Sequence, residues 1–249
     1  MLVLLPPSET KAHGGDGPPL DLDALSFPEL NPIRRKLADA LVELAADVPA
    51  SLAALGLSER QRAEVERNAL LHSSPTIPAL LRYTGVLYDA LGASTFTGVE
   101  RERARRRLAV ASALFGVVRA GDPIPAYRLS GNSTMPGLGS LRPLWRPALE
   151  PLLADISADE LVVDLRSGVY ANLARVPEAT TVRVVTEDSS GRRKTVSHHN
   201  KAHKGRLAAA LATCATEPTR TEDVVAVARA AGLDCEQTGK TSVEIVTRS

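Results

Sequence analysis

The sequence predicts a mixed α/β (α+β) fold: a single domain over residues 1–249, with a mixed sheet flanked by helices. Three observations carry that expectation. Short apolar runs of strand length at Met1–Leu5 and Leu161–Leu165 alternate with longer stretches of helical periodicity. Residues 181–186 and 194–197 alternate across Asp188-Ser189-Ser190-Gly191, the pattern of a β-hairpin. The chain has 249 residues, 44 % of them hydrophobic and 24 % charged, which suits a globular core, and no repeat or linker divides it.

In chain order, Met1–Leu5 reads as a buried strand, and residues 6–32, rich in Gly, Pro and Asp, as a long loop. Ile33, Leu37, Ala40, Leu41 and Leu44 predict an amphipathic helix over about 32–47. Ser58-Glu59-Arg60-Gln61 has the form of a capping box and opens a polar helix. Gly98 to about Ala113 reads as one helix, Arg-rich and then apolar, and Gly116–Arg119 with Asp122–Pro125 as a compact turn. Leu161–Leu165 is a strand, and Asn200–Cys214 is a helix with Leu207, Ala210, Leu211 and Cys214 on one stripe. Thr221 caps a further helix that ends at Gly232, and two strands close the chain around Thr238–Thr241.

Composition excludes several classes. Apolar runs fall far short of the ~20 residues that span a bilayer, so no membrane is expected. The opening run stops at Pro6 with no basic residue before it, unlike a secretory signal, so a cytoplasmic location is expected. Cys214 and Cys235 are too few for a disulfide framework or a four-thiolate zinc site. No motif calls for a cofactor. Ser189–Arg206 holds six basic residues and no acid, which points to an anionic partner over a limited footprint.

Several segments carry candidate chemistry. A strand ending in Pro6-Pro7 delivers Ser8, Glu9 and Lys11 to a sheet edge, where ligands often sit; a polar turn leaving a strand has the same pattern. Ser8 can donate or attack, Glu9 can accept a proton and Lys11 can hold an anion. In Ser197–Arg206, Lys201 and Gly205 share the face opposite the apolar stripe. A glycine there costs about 1 kcal/mol relative to Ala and suggests a close approach by a ligand or a backbone, or else a solvated basic face. His199 and His203 have metal-ligand spacing, but the neighbouring Lys201, Lys204 and Arg206 would repel a dication, and no metal is expected. The roles of His198, His199 and His203 stay open. Gly239-Lys240-Thr241 lies between strands and is a hairpin turn, not a phosphate loop. Met135-Pro136-Gly137-Leu138-Gly139 has the hairpin form of helix-hairpin-helix modules, in which Gly137 and Gly139 would offer backbone N–H groups to a phosphate; Pro147 and Pro151 would break the helix that follows. A plain Gly-rich loop is the alternative. Arg101–Arg107 is a charge run on a helix. Asp164, Ser167 and Tyr170 follow a strand, again at a sheet edge.

In this order, the opening LVLLPPSETK, Arg82-Tyr83-Thr84-Gly85 with Tyr88, LFGVVRAGDPIPAYRLSG, Trp145, DLRSGVY and NKAHKGR resemble the YaaA family of peroxide stress resistance proteins, over nearly the whole chain. The resemblance implies one α/β domain of unusual topology, a cytosolic location, and a basic cleft that binds DNA with a helix-hairpin-helix-like element. It further implies protection against hydrogen peroxide by limiting free iron and oxidative DNA damage. The matching positions are Ser8, Glu9, Lys11, Tyr83, Gly85, Arg119, Tyr127, Arg128, Asp164, Ser167, Tyr170, Lys201 and Gly205. The PPSET opening and the triple histidine depart from other members, which open with a strand and Pro-Ala-Lys-Thr.

Two functions are expected from this set. The first is a DNA-binding stress protein, with duplex or damaged DNA held by Lys11, Arg119, Arg128, Lys201, Lys204 and Arg206, and by Gly137 and Gly139. The second is an enzyme on a small anionic or nucleotide-like substrate. Under it Ser8, Glu9, Lys11 and Lys201 carry the chemistry, and Tyr83, Tyr127, Asp164, Ser167, Tyr170 and Gly205 line the cleft. Direct iron binding or thiol-based peroxide reduction has no residue set to support it.

Overall fold

The computed structural model of the chain describes residues 1–195 and 200–248. Its first strand, β1 (Leu2–Leu5), is buried at every position, as befits a strand in the middle of a parallel sheet. A long loop follows, then α1 (Asn31–Ala45), α2 (Val48–Leu55) and α3 (Arg62–Ala69). The reading by periodicity missed α2, although its punctuation is clear. The Asp47 side chain accepts from Ala50 N at one end and left-handed Gly56 stops the other.

β2 (Ile77–Pro78), α4 (Ala79–Arg82) and α5 (Val86–Leu91) lead to α6 (Gly98–Arg107), opened by a Thr97–Glu100 capping box. The helix expected to run to Ala113 ends at Arg107. Leu108–Ser112 is β3, buried throughout and paired with β1 on one side. Leu, Ala and Ser tolerate a helix well, but two-sided burial and sheet pairing override that preference. The expected compact turn at Gly116–Arg119 is likewise a strand, β4, antiparallel to β3.

β5 (Pro123–Ile124) pairs with β2, and β6 (Thr134–Met135) with β7 (Gly139–Ser140). α7 (Leu141–Asp159) then runs unbroken through Pro147 and Pro151. Pro143, Pro147 and Pro151 recur every fourth residue on the exposed face, so the missing hydrogen bonds fall on the side where a helix curves away from the core.

β8 (Val162–Asp164), α8 (Gly168–Ala171), β9 (Thr180–Glu187) and β10 (Arg193–Thr195) follow. The chain closes with α9 (Asn200–Thr213), α10 (Thr221–Ala230), β11 (Cys235–Gly239) and β12 (Ser242–Arg248). The residue that flanks α10 as its cap is Arg220, not Thr221. Asp223 accepts from the N–H groups of Thr219 and Arg220, while the Thr221 hydroxyl is buried against that of Thr180.

The sheet has eight strands in the order β11-β12-β9-β8-β1-β3-β4, with β10 on β9. Its centre, from β12 to β3, is parallel, while β4, β10 and β11 are antiparallel additions. From β1 the chain moves first to β3 and β4 on one side, then returns to β8 on the other. The strand order therefore reverses beside β1, and the crevice at the carboxyl ends of β1 and β8 is where open α/β sheets take ligands. Two buried arginines hold the long first loop. Arg34 donates to the carbonyls of Phe115, Val117 and Ser26, and Arg82 to those of Ala12, Gly14, Pro75 and Ile124.

Candidate functional site

A cavity of about 790 Å³ opens at that crevice. Residues 6–10, released by β1, form one side, and residues 165–170, released by β8, form another. Thr84–Tyr88 at the start of α5, Ser130 with Asn132, and Asn200, Lys201 and Lys204 on α9 complete the lining. Ser8 and Lys201, far apart in sequence, thus face one space.

α9 reaches the cavity because Gly205 lets it lie directly on α5. A Cβ there would sit 2.2 Å from the Leu87 carbonyl oxygen. The close approach that the sequence suggested at Gly205 is thus to a backbone. Gly205 is buried in a helix seam and does not line the cleft. Lys204 donates to the Leu165 carbonyl at 3.0 Å, tying α9 to the loop after β8, and burial lowers its pKa despite the nearby Asp164. Lys201 is exposed at the mouth.

Lys11 lies behind this wall, not in it. It is 6 % exposed, and its ammonium donates to the carbonyls of Ser8 (3.1 Å) and Glu9 (3.4 Å). It stands 4.2 Å from the centre of the Tyr127 ring. Burial drives its pKa down to about 7, with the Arg128 charge helping and Glu9 opposing. Lys11, expected as a direct anion clamp, is not among the lining residues: its amine is buried behind the Ser8 and Glu9 carbonyls. Tyr83 and Tyr127 are buried beside it, with Tyr83 hydroxyl to Tyr127 hydroxyl at 2.8 Å and Tyr127 hydroxyl to Ser112 hydroxyl at 2.7 Å. They support the floor and do not line it. Burial pushes the Tyr83 phenol up to about 12 and that of Tyr127 well above its usual range.

Glu9 is partly engaged, since Arg128 meets its Oε2 at 3.0 Å. Arg128 is not among the lining residues, and its Nε is buried without a hydrogen-bond partner among the described residues. Asp164 is held bidentately by Arg166, at 2.9 and 2.8 Å, so that carboxylate is committed to positioning Arg166, which the sequence reading passed over. Ser167 and Tyr170 are among the lining residues, the Tyr170 hydroxyl accepting from Gly131 N at 3.2 Å. The lining is mixed in charge: Glu9 accompanies Arg166, Lys201 and Lys204, while Asp164, expected to line the cleft, stands outside the lining as the partner of Arg166.

Other expected anion contacts lie elsewhere. Because β4 runs antiparallel to β3, it carries Arg119 to the opposite end of the sheet. There it donates to the Arg106 carbonyl and stands 3.9 Å from Glu160. Arg206 is exposed on α9 and outside the lining. Gly137 and Gly139 form the exposed β6–β7 turn with positive φ, and the hairpin feeds straight into α7. Residues 125–133 before it are irregular, so the helix-hairpin-helix form lacks its first helix. Arg193, in the basic stretch, is neutralised by Glu187, Glu236 and Glu244. In the Arg run, Arg107 is buried on Glu217 and on carbonyls at the end of α9, so that face is not simply solvated.

His198 and His199 lie outside the described residues; His203 is half-buried on α9. Among the described residues no group of three or more His, Cys, Asp or Glu is placed to hold a metal ion, and no helix is long and apolar enough to cross a membrane. Thr10, Thr84, Ser130, Asn132 and Asn200 were missed. Thr10, Thr84, Ser130 and Asn200 stand inside the segments that carry the family resemblance, which is the signal that could have singled them out.

Comparison with known proteins fits this arrangement. The family described as "Peroxide stress protein YaaA" matches residues 1–238. The chain belongs to the YaaA family. A UPF0246 protein of Corynebacterium efficiens is 51 % identical over 95 % of both chains. One of Streptomyces coelicolor is 42 % identical over 95 % of this chain and 92 % of its own. An uncharacterised protein of Campylobacter jejuni is 26 % identical over 83 % of this chain and 82 % of its own. YaaA membership thus extends over the segments that build the cavity, from the opening strand through α9.

Proposed function

We propose that the cavity beside β1 binds and acts on a small anionic molecule in the cytoplasm, and that this activity underlies the peroxide-stress role for which the family is named. The observation that carries the reading is the convergence of Ser8 and Glu9 with Lys201 and Lys204 on one cavity at a strand-order reversal. In it, Lys201 and the remaining N–H of Lys204 hold the anion. Glu9 takes a proton, and the Ser8 and Ser167 hydroxyls orient the reacting group. The test is equilibrium titration with phosphate- and carboxylate-bearing metabolites at fixed ionic strength. Lys201→Ala weakens binding about tenfold, the order expected for a charge-assisted contact. Absence of binding across the panel, or indifference to Lys201→Ala, removes the reading.

DNA binding is the second reading. It is favoured by the exposed Gly137–Gly139 turn, which opens α7 without a side-chain cap and places exposed Arg142 in the first turn. A log–log salt slope of about −5 to −7 needs six to eight phosphates held together, whereas Arg119 and Arg206 lie apart from the cavity lysines. Under this reading a short duplex binds at ~50 mM salt and Arg142→Ala weakens it. No binding at that salt sinks it.

A further inference from the structure

The cavity is too large and too varied for a bare anion. Its volume of about 790 Å³ lies within the ~300–1,000 Å³ range of pockets that enclose whole organic ligands. Its chemistry divides into three parts. The cations without a carboxylate partner in the lining, Lys201 and Lys204, sit one turn apart on α9, a footprint for one phosphate and not for a row of them. Tyr88 and Tyr170 give the lining its aromatic surface. Their hydroxyls are already bonded, to the Pro6 carbonyl and Gly131 N–H respectively, so what remains to interact is ring. The third part is rich in hydroxyls and acceptors: Ser8, Thr10, Thr84 and Glu9, whose Oε2 is taken by Arg128 while Oε1 has no partner among the described residues.

Composition sharpens the second part. The chain has four tyrosines in 249 residues, and all four gather here. Tyr88 and Tyr170 are in the wall, Tyr83 stacks on Tyr88 at 5.6 Å, and Tyr127 bonds to Tyr83. A chain only 3 % aromatic has concentrated its planar side chains at one place. A second, independent observation is Asn200. Its Oδ1 is buried without a hydrogen-bond partner among the described residues, on the helical face it shares with Lys204, and its residue lines the cavity. An orphaned acceptor calls for an N–H or O–H donor.

We propose that the ligand of this cavity is a nucleoside monophosphate. Its phosphate sits on Lys201 and Lys204, its base against Tyr88 and Tyr170, and its sugar hydroxyls donate to Glu9. A base N–H or a sugar hydroxyl supplies the donor that Asn200 lacks. The proposal rests on the reading of this cavity as an anion site and narrows it to one class. A single nucleotide is favoured over nucleic acid because, among the described residues, Lys201 and Lys204 are the only lining cations without a carboxylate ion-pair partner.

The experiment is calorimetric titration of the full chain with the four ribonucleoside monophosphates, the matching nucleosides, ribose 5-phosphate, inorganic phosphate and a single-stranded tetranucleotide. At least one monophosphate is expected to bind ten times or more tighter than ribose 5-phosphate and than its own nucleoside. Lys201→Ala erodes that monophosphate's affinity but not the nucleoside's. Tyr88→Leu erodes both while leaving ribose 5-phosphate unchanged, and Asn200→Ala erodes both. If ribose 5-phosphate binds as tightly as every monophosphate, the proposal fails and the anion site stands. If no anion binds, both fail. If the tetranucleotide outbinds all monophosphates, the ligand is a nucleic acid and the proposal is overturned.

Discussion

At the scale of single residues, Lys11 is the most unusual group. Lysines are almost never fully buried without a partner, and this one meets only carbonyls and ring faces. The opening motif marked Lys11 in the sequence but not its burial, which depends on Tyr83 and Tyr127 arriving from distant segments. Burial lowers its pKa from the ordinary 10.5 to about 7. Between those values the unfolded chain holds a proton that the folded chain does not, so stability rises with pH across pH 7 to 10.5 and this contribution is flat below pH 7. Lys11→Met should remove that rise, read as denaturant midpoints at pH 7 and pH 9; equal pH slopes in both proteins would contradict the assignment. A second residue sets a limit on thiol chemistry. Burial pushes the Cys235 thiol up to about 11. Its alkylation at pH 8 should therefore run much slower than that of a free cysteine, by mass spectrometry, and a rate matching free cysteine would show the site to be open.

At the scale of elements, the α5–α9 seam decides whether a cavity exists. Gly205→Ala puts a methyl group onto the Leu87 carbonyl. Overpacking of this kind costs about 1–3 kcal/mol, and here it also moves Lys201 and Lys204 away from Ser8. The expected result is a lower melting temperature together with weaker ligand binding; an unchanged melting temperature would mean the helices part freely. The sequence made this glycine conspicuous because it sits inside a helix, yet it did not say whether a ligand or a backbone came close. The strands β1 and β8 to β12 and the helices α1, α3, α6, α9 and α10 were legible from periodicity and punctuation, while the short elements between α3 and α6 were not. The two errors beside them, at Leu108–Ser112 and Gly116–Arg119, share a cause. A strand buried on both faces has no alternation to read, and its identity comes from neighbours that sequence spacing does not reveal. That same misreading sent Arg119 to the wrong end of the molecule.

At the scale of the whole molecule, the sheet separates two jobs. Its carboxyl end beside β1 holds the cavity. Its other end holds Arg107, which is buried, pairs with Glu217 at 3.2 Å and donates to the carbonyls of Leu211 and Cys214 at the end of α9. α9 therefore presents Lys201 at its first turn and is anchored by arginine at its last, where a cation also suits the helix dipole. Arg107→Met strips several carbonyls of a partner at roughly 1–3 kcal/mol each, so a fall in stability of a few kcal/mol is expected, visible as a lower thermal midpoint. Lys201→Ala, at an exposed position, should leave stability nearly untouched and weaken ligand binding. Because the two sites lie at opposite ends of α9 and share no partner, the double variant should show the sum of the single effects to within about 0.3–0.5 kcal/mol. A larger coupling, read from thermal midpoints with and without ligand, would mean that α9 does not act as a rigid bar and that its anchored end tunes the lysines across the cavity.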